Sequence, residues 1–172
     1  MAQADAQTTN PIRSRLGAYY ELTKPGITGY VMVTAGVSAF VASRGRVELT
    51  LAMNTIAGTG IATAGALTLN QFVEREVDTV MHRTQGRPLP TGRVSPMEAL
   101  GFGSALLLGG LIYIALALGV LPAAITAASG LMYHGVYTPL KTRSYVATLA
   151  GAIPGALPML IGWSAVTGSL DS

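Results

Sequence analysis

Cysteine is absent from the 172 residues of this chain. Its absence excludes disulfide bridges, thiolate nucleophiles and metal sites with cysteine ligands. Charge is also scarce: only 11% of the residues are charged, whereas 50% belong to the hydrophobic set. What the few charged residues indicate depends on where they lie along the chain.

The charged residues are separated by four long uncharged blocks. These blocks contain 19 residues after Lys24, 25 after Glu48, 42 after Glu98 and 27 after Arg143. Because a membrane-spanning helix needs about 20 mostly apolar residues, three blocks fit one span each and the longest fits two. The sequence therefore predicts an all-α, polytopic transmembrane helix bundle with five spans, at residues 26–43, 51–73, 98–118, 122–140 and 146–166.

This pattern excludes an ordinary soluble domain. It also argues against a nucleic-acid-binding role, because the small excess of basic residues is interrupted by segments of bilayer length. The 21 glycines favour a closely packed bundle over separate anchors, since small residues let membrane helices approach one another. Pro122 is expected in the first turn of its helix, while Pro154 and Pro158 would free backbone carbonyls that must face protein or a wet cavity.

The basic residues predict the orientation of the bundle. With five spans, nine of the eleven lysines and arginines fall on one side, and only Arg44 and Arg46 fall on the other. The positive-inside rule then places the N-terminus in the cytoplasm. The N-terminal residues are polar and do not have the pattern of a secretory signal, so we expect a multi-pass protein of a bacterial inner membrane.

Three oxygen-bearing side chains lie at the end of the second predicted span. Asn70, Glu74 and Asp78 are spaced i, i+4, i+8, which stacks them along one face of a helix, with about 6 Å of rise between neighbours. Such a row is costly at a membrane helix end unless a cation neutralises it. Oxygen ligands of this kind suit Mg²⁺, which commonly binds one or two carboxylates together with substrate phosphates.

Two arginines follow this acidic face and could donate to phosphate oxygens. Arg83 and Arg87 lie a few residues downstream of Asp78, and their guanidinium groups match phosphate geometry. The acidic face and the arginines together are what a Mg²⁺-diphosphate site would need. The alternative is a solvated helix end, at which Glu74 and Asp78 simply pair with nearby arginines.

A second cluster, of basic and polar residues, lies on the same predicted side, at residues 133–143. Lys141 and Arg143 could add positive charge beside a diphosphate and so favour its departure. The alternative is plain positive-inside anchoring, with Tyr133 and Tyr137 as interfacial aromatic residues. His134, one of only two histidines, is interpreted as a packing residue.

Four segments together resemble one family. The first runs from Asn70 to Gly92 with the pattern N-x3-E-x3-D-x2-M-x-R-T-x2-R-P-L-P-x-G. The others are Leu-Thr-Lys-Pro at 22–25, Tyr-Thr-Pro-Leu-Lys at 137–141, and Gly-Ala-Ile-Pro-Gly-Ala-Leu-Pro at 151–158 with Gly-Trp at 162–163. In this order and spacing they resemble the heme O synthases (protoheme IX farnesyltransferases) of the UbiA superfamily of intramembrane prenyltransferases.

The resemblance implies an activity and a set of functional residues. A helical bundle would surround a lipid-facing cavity, and the enzyme would transfer a farnesyl group from farnesyl diphosphate to a vinyl group of heme b, with water addition, giving heme O and diphosphate. Heme A synthase or cytochrome oxidase assembly factors could be partners. By the same resemblance Mg²⁺ would be held by Asn70, Glu74 and Asp78, and the leaving diphosphate would be neutralised by Arg83, Arg87 and Lys141, with Tyr137 and Arg143 as further substrate-binding residues.

The chain departs from the family pattern in two ways. The middle acidic residue is Glu74, where aspartate is commoner. Family members also have about nine spans of bilayer length, with a second acidic motif in the later half. We therefore expect residues 1–24 to form a cytoplasmic arm and residues 25–172 to be the N-terminal portion of a UbiA-type transmembrane domain.

Two alternatives stay open at this point. A related prenyltransferase could use another aromatic acceptor, such as 4-hydroxybenzoate. The chain could also be a non-catalytic, truncated membrane subunit whose acidic face is only a cluster of ion pairs.

Overall fold

The structure, a computed structural model, describes residues 11–141 and 147–171. The helices are α1 (Pro11–Leu22), α2 (Pro25–Ala42), α3 (Leu49–Val80), α4 (Pro96–Ala117), α5 (Val120–Met132), α6 (Thr138–Leu140) and α7 (Ala147–Thr167), and a π-helical turn at Tyr133–Tyr137 joins α5 to α6. No strand occurs within these two ranges, so the all-α prediction is confirmed.

Each of the five predicted spans coincides with helical structure. By length and composition, α2, α4 and α7 can cross a membrane. Helix α3 is long enough, at 32 residues, but less apolar, and α5 alone has only 13 residues. The five-span count therefore stays a prediction. Helix α3 also continues to Val80, beyond the predicted end at residue 73, and so carries the whole acidic face on one helix.

Helix α1 lies within residues 1–24, which the sequence predicts to be a cytoplasmic arm. Its buried Ala18 and Leu22 form an apolar cluster with Leu89, Val94 and Ala99, at the start of α4 and in the loop before it. Two ion pairs accompany this cluster, Arg15–Glu98 at 2.5 Å and Arg93–Glu21 at 2.8 Å. Helix α1 and the loop before α4 thus form one cap beside the end of α3.

Glycines permit the closest helix contacts. At Gly65 of α3 a Cβ atom would lie 2.3 Å from the backbone nitrogen of Leu107 in α4, and at Gly110 of α4 it would lie 2.5 Å from that of Ala62. Between α2 and α7, a Cβ at Gly162 would lie 2.1 Å from the carbonyl oxygen of Ala35. The expectation that glycine serves close packing in this bundle is therefore confirmed.

The prolines of α7 leave a carbonyl that another helix satisfies. Pro158 has no N–H to donate to the carbonyl oxygen of Pro154, and the hydroxyl of Ser129 in α5 donates to that oxygen instead, at 3.4 Å. The freed carbonyl therefore faces protein, as expected for proline inside a membrane helix. Pro122 lies in the first turn of α5, also as predicted.

Candidate active site

The acidic face of α3 is buried. Asn70, Glu74 and Asp78 are 1%, 8% and 3% exposed, and because α3 is continuous they stack along one side of it. The side-chain amide of Asn70 donates to Oε1 of Glu74 at 2.8 Å. This buried row, called here the acidic ladder, is not solvated as the alternative interpretation expected, although Asp78 does pair with a nearby arginine, Arg87.

Three cations from distant parts of the chain contact the acidic ladder. Lys141, just after α6, forms an ion pair with Oε1 of Glu74. Arg87, in the loop after α3, approaches Oδ2 of Asp78 to 2.7 Å. Lys24, in the turn between α1 and α2, donates from Nζ to Oδ1 of Asn70 at 3.3 Å. Each member of the ladder thus has one cation of its own.

Lys24 lies outside the spanning helices, and its environment disfavours its charged form. Burial, followed by the positive charge of Arg87, lowers the pKa of Lys24 to about 8. The nearby carboxylates of Glu74 and Asp78 act in the opposite direction. Since burial outweighs them, Lys24 is only partly compensated in this arrangement.

Neutral side chains hold the ladder in place. Asn70 also donates to the hydroxyl oxygen of Thr138 at 3.3 Å, and Thr138 in turn donates to the carbonyl oxygen of Tyr133 at 2.9 Å. The amide of Gln71 donates to the carbonyl oxygen of Leu22 at 2.8 Å, which ties α3 to the end of α1. The ladder is therefore fixed to both the cap and the π-helical turn.

Two adjoining cavities lead to this site. The first, of about 180 Å³, is mostly apolar and lies among α2, α3, α5 and α7. The second, of about 580 Å³, is lined by more polar residues, including Tyr137, Thr148 and Lys141. Both are lined by Ile27, Leu67, Tyr133 and Gly151. The larger cavity, which Lys141 lines, is therefore a neighbour of the apolar one.

The structure describes two of the three remaining predicted site residues, Tyr137 and Arg83. Tyr137 lines the larger cavity, beside Lys141. Arg83 is exposed and, within the described part of the chain, makes no ion pair, so its role stays a prediction. Arg143 lies outside the described residues.

Sequence reasoning missed Lys24, Gln71 and Thr138 as parts of the site. All three lie in or next to segments that carry the family resemblance: Lys24 within residues 22–25, Gln71 beside Asn70, and Thr138 within residues 137–141. Treating these segments as one spatial cluster would have found them. Their mutual distances are fixed by helix packing, which the sequence pattern does not reveal.

The ladder has donors that fit Mg²⁺. No group of three His, Cys, Asp or Glu side chains comes together within residues 11–141 and 147–171, so the ladder offers two carboxylates and one carboxamide. No described residue donates a hydrogen bond to Oε2 of Glu74 or to Oδ1 of Asp78. Each carboxylate therefore keeps an oxygen for a hard cation, and Mg²⁺ needs no more than two of them when phosphates complete its shell.

Residues 31–172 match the UbiA prenyltransferase family. Similar curated proteins include three named protoheme IX farnesyltransferase. The one from Solibacter usitatus is 41% identical, and the match covers 88% of this chain and 55% of the relative. The one from Anaeromyxobacter dehalogenans is 38% identical over 100% of this chain and 58% of the relative, and the one from Aquifex aeolicus is 42% identical over 89% of this chain and 53% of the relative. The chain thus spans about half the length of these relatives. No solved structure gives a significant match. The three long apolar helices and the family match indicate an integral membrane protein, and the chain belongs to the UbiA prenyltransferase family.

Proposed function

We propose that the protein transfers a farnesyl group from farnesyl diphosphate to a vinyl group of heme b, with addition of water, giving heme O and diphosphate. The observation that carries the diphosphate part is the buried acidic ladder with its three cations, one of which, Lys141, lines the larger cavity. The farnesyl group and the heme acceptor are supported by the name protoheme IX farnesyltransferase that the relatives carry.

Asn70, Glu74 and Asp78 would hold the metal ion of this reaction. Members of this family generally use a divalent metal, and the oxygen-only donor set favours Mg²⁺. When bound, Mg²⁺ supplies positive charge that stabilises the leaving diphosphate. Oε2 of Glu74 and Oδ1 of Asp78, which accept no hydrogen bond from a described residue, would be the carboxylate oxygens that hold it, beside the ion pairs with Lys141 and Arg87.

The cations beside the carboxylates would act on the substrate. Arg87 and Lys141 would donate to phosphate oxygens, and Arg83 and Arg143 would add positive charge at the same mouth. This charge stabilises the diphosphate as the allylic C–O bond breaks and the bonding electron pair goes to the leaving oxygen. The terminal carbon of the heme vinyl group then forms a bond to the farnesyl cation. Water adds to the resulting cation and loses a proton to solvent.

The apolar cavity supports a prenyl substrate. Its walls include Ile27, Val31, Leu107 and Ile161. Such walls bury the farnesyl chain and keep water from the allylic cation until the vinyl group has reacted. The larger cavity, with Tyr133 and Tyr137, lies between these walls and Lys141 and has room for the reacting groups.

The test is an acceptor competition with the purified protein in nanodiscs. Farnesyl diphosphate and Mg²⁺ are supplied with heme b, with 4-hydroxybenzoate or with both, and the products are identified by mass spectrometry. We expect heme O, and we expect its formation to cease when EDTA removes the metal. Prenylated hydroxybenzoate without heme O would overturn the heme acceptor. Products from neither acceptor, with diphosphate binding indifferent to Asp78→Asn, would instead favour a non-catalytic subunit.

A further inference from the structure

We propose that Lys24 is a diphosphate-binding residue, whose ammonium group is held beside Asn70 and donates to a phosphate oxygen of the substrate. The inference rests on the proposed function and deepens it, because it adds a third cation from a separate element. Its starting observation is the hydrogen bond of 3.3 Å between Nζ of Lys24 and Oδ1 of Asn70.

The position of the Lys24 side chain is unusual for a lysine at the start of an apolar helix. Lysines at such places commonly extend their ammonium group toward water. Lys24 is only partly exposed, and its ammonium group contacts a side chain that is 1% exposed. The lysine is thus directed to the inner member of the acidic ladder, a full helical turn from Glu74.

The backbone at Lys24 is shaped for this position. Its φ of 45° and ψ of 66° are left-handed, a conformation that non-glycine residues rarely adopt unless their surroundings impose it. Here the side-chain amide of Gln71 donates to the carbonyl oxygen of Leu22, two residues before Lys24. The hydroxyl of Thr28 donates to the carbonyl oxygen of Thr23 at 2.7 Å. Contacts from α2 and α3 therefore fix the turn that presents Lys24 to the ladder.

The charges around Lys24 leave it without an anionic partner. Glu74 pairs with Lys141 and Asp78 pairs with Arg87, whereas among the described residues Lys24 contacts only a neutral amide. Three cations therefore surround two carboxylates. A partly buried ammonium group is costly when the carboxylates near it already pair with other cations, and an anionic ligand at this point would lower that cost.

Metal binding strengthens the same conclusion. Oδ1 of Asn70 is the oxygen that a Mg²⁺ ion would use, and the ammonium group of Lys24 now occupies it. That oxygen has two lone pairs and can serve both cations, but two cations so close together repel each other, and an anion beside them would offset the repulsion. The diphosphate that accompanies the metal is the nearest new anion, and its oxygens can accept from an ammonium group.

The proposal predicts that removal of the Lys24 charge weakens the binding of diphosphate but not the binding of the metal. Lys24→Met removes the charge that repels Mg²⁺, so binding of Mg²⁺ alone should be unchanged or tighter. The same variant loses a charge-assisted hydrogen bond to phosphate, so in the presence of Mg²⁺ the affinity for farnesyl diphosphate should fall about 10- to 100-fold. Binding of farnesol, which lacks the diphosphate, should not change.

Three further variants make the test specific. Lys24→Gly suits the left-handed backbone, so it should fold at least as well as the parent while still losing diphosphate affinity. Lys24→Arg should recover most of the affinity. Arg44→Met is the matched control, since Arg44 is an exposed cation, also left-handed with φ 53°, at the other end of α2, and its replacement should change affinity less than about twofold.

The measurement is isothermal titration of the protein in nanodiscs with Mg²⁺, inorganic diphosphate, farnesyl diphosphate and farnesol. If Lys24→Met and Lys24→Gly both bind farnesyl diphosphate as tightly as the parent, while Asp78→Asn does not, the proposal for Lys24 is overturned and the proposed function stands. Equal weakening of farnesol and farnesyl diphosphate would also overturn it, because the role would then be structural. Absence of Mg²⁺-dependent binding in the parent itself would instead contradict the proposed function.

Discussion

Two carboxylates on the last turns of α3 have opposite environments. Asp78 is 3% exposed and pairs with Arg87, whereas the side chain of Glu76 is 84% exposed and pairs with Arg75. An exposed pair of the second kind contributes little to stability or binding. The buried carboxylate is therefore the one whose charge matters to the site.

Asp78→Asn should abolish Mg²⁺-dependent binding of farnesyl diphosphate. The substitution keeps the size of the side chain but removes a proposed metal ligand and leaves Arg87 beside a neutral amide. We expect a loss of at least about 100-fold, since a partner of a buried charge pair is commonly coupled by several kcal/mol. The measurement is a titration of the protein in nanodiscs with farnesyl diphosphate, with and without Mg²⁺.

Glu76→Gln is the matched control for this experiment. It makes the same chemical change two residues away on the same helix, at an exposed side chain. Its affinity should lie within about twofold of the parent. Equal losses in the two variants would show that the effect comes from the charge of the helix end and not from the ladder.

The ladder itself could be predicted from sequence, but its partners could not. The spacing of Asn70, Glu74 and Asp78 fixes a shared helix face without knowledge of the fold. The pairing of Glu74 with Lys141, across 67 residues, depends on how α3 packs beside the segment after α5. Local patterns do not determine that packing, and so the sequence assigned Lys141 only to the leaving group and omitted Lys24.

Helix α4 provides a direct test of how glycine packs these elements. Gly110 is buried against the backbone of Ala62 in α3, where a Cβ atom would lie 2.5 Å from its nitrogen. The adjacent Gly109 is exposed, and a Cβ atom there would meet nothing within 4 Å. Two neighbouring glycines of one helix thus differ only in whether another helix covers them.

Gly110→Ala should lower the stability of the bundle, and Gly109→Ala should not. Alanine in a helix interior is normally better than glycine by about 0.5–1 kcal/mol. At position 110 the close backbone cannot yield easily, and overpacking of this kind costs about 1–3 kcal/mol. We expect a lower thermal unfolding midpoint for Gly110→Ala in detergent and an equal or higher one for Gly109→Ala. Equal midpoints for both variants would contradict the close packing of α3 and α4.

Element boundaries were predictable where one residue type dictates them. Pro122 lies in the first turn of α5, and the capping box of Ser95 with Glu98 lies at the start of α4. Both are local signals of a helix start that do not depend on tertiary contacts. Helix α1 was not predicted, because its sequence is short and its stability comes from the cluster of Ala18 and Leu22 with Leu89 and Val94. Such a helix depends on tertiary contacts more than on its own propensity.

At the scale of the whole molecule, the site depends on segments that are far apart in the chain. The turn before α2, the loop before α4 and the residue after α6 each contribute one cation, and the end of α3 contributes two carboxylates. They can share one site only if they lie on the same side of the membrane. The five-span arrangement meets this condition, because it places the end of α3 and the end of α6 on the side of α1.

The number of spans can be tested by cysteine labelling in a background that has no cysteine of its own. Single cysteines are introduced at exposed positions that follow successive helices: Arg46→Cys after α2, Gln85→Cys after α3, Val120→Cys after α4 and Leu170→Cys after α7. Each variant is treated with a membrane-impermeant maleimide in right-side-out and in inside-out vesicles. Labelling after solubilisation shows that each cysteine can react.

The two middle positions distinguish the topologies. With five spans and a cytoplasmic N-terminus, position 85 should react only in inside-out vesicles and positions 46, 120 and 170 only in right-side-out ones. If only α2, α4 and α7 cross the membrane, positions 85 and 120 exchange sides, while 46 and 170 do not change. In that arrangement Arg87 would lie across the membrane from Lys24, although both contact one ladder on α3. Because two cations cannot reach side chains about two helical turns apart on one helix from opposite sides of a bilayer about 30 Å thick, we expect the five-span pattern.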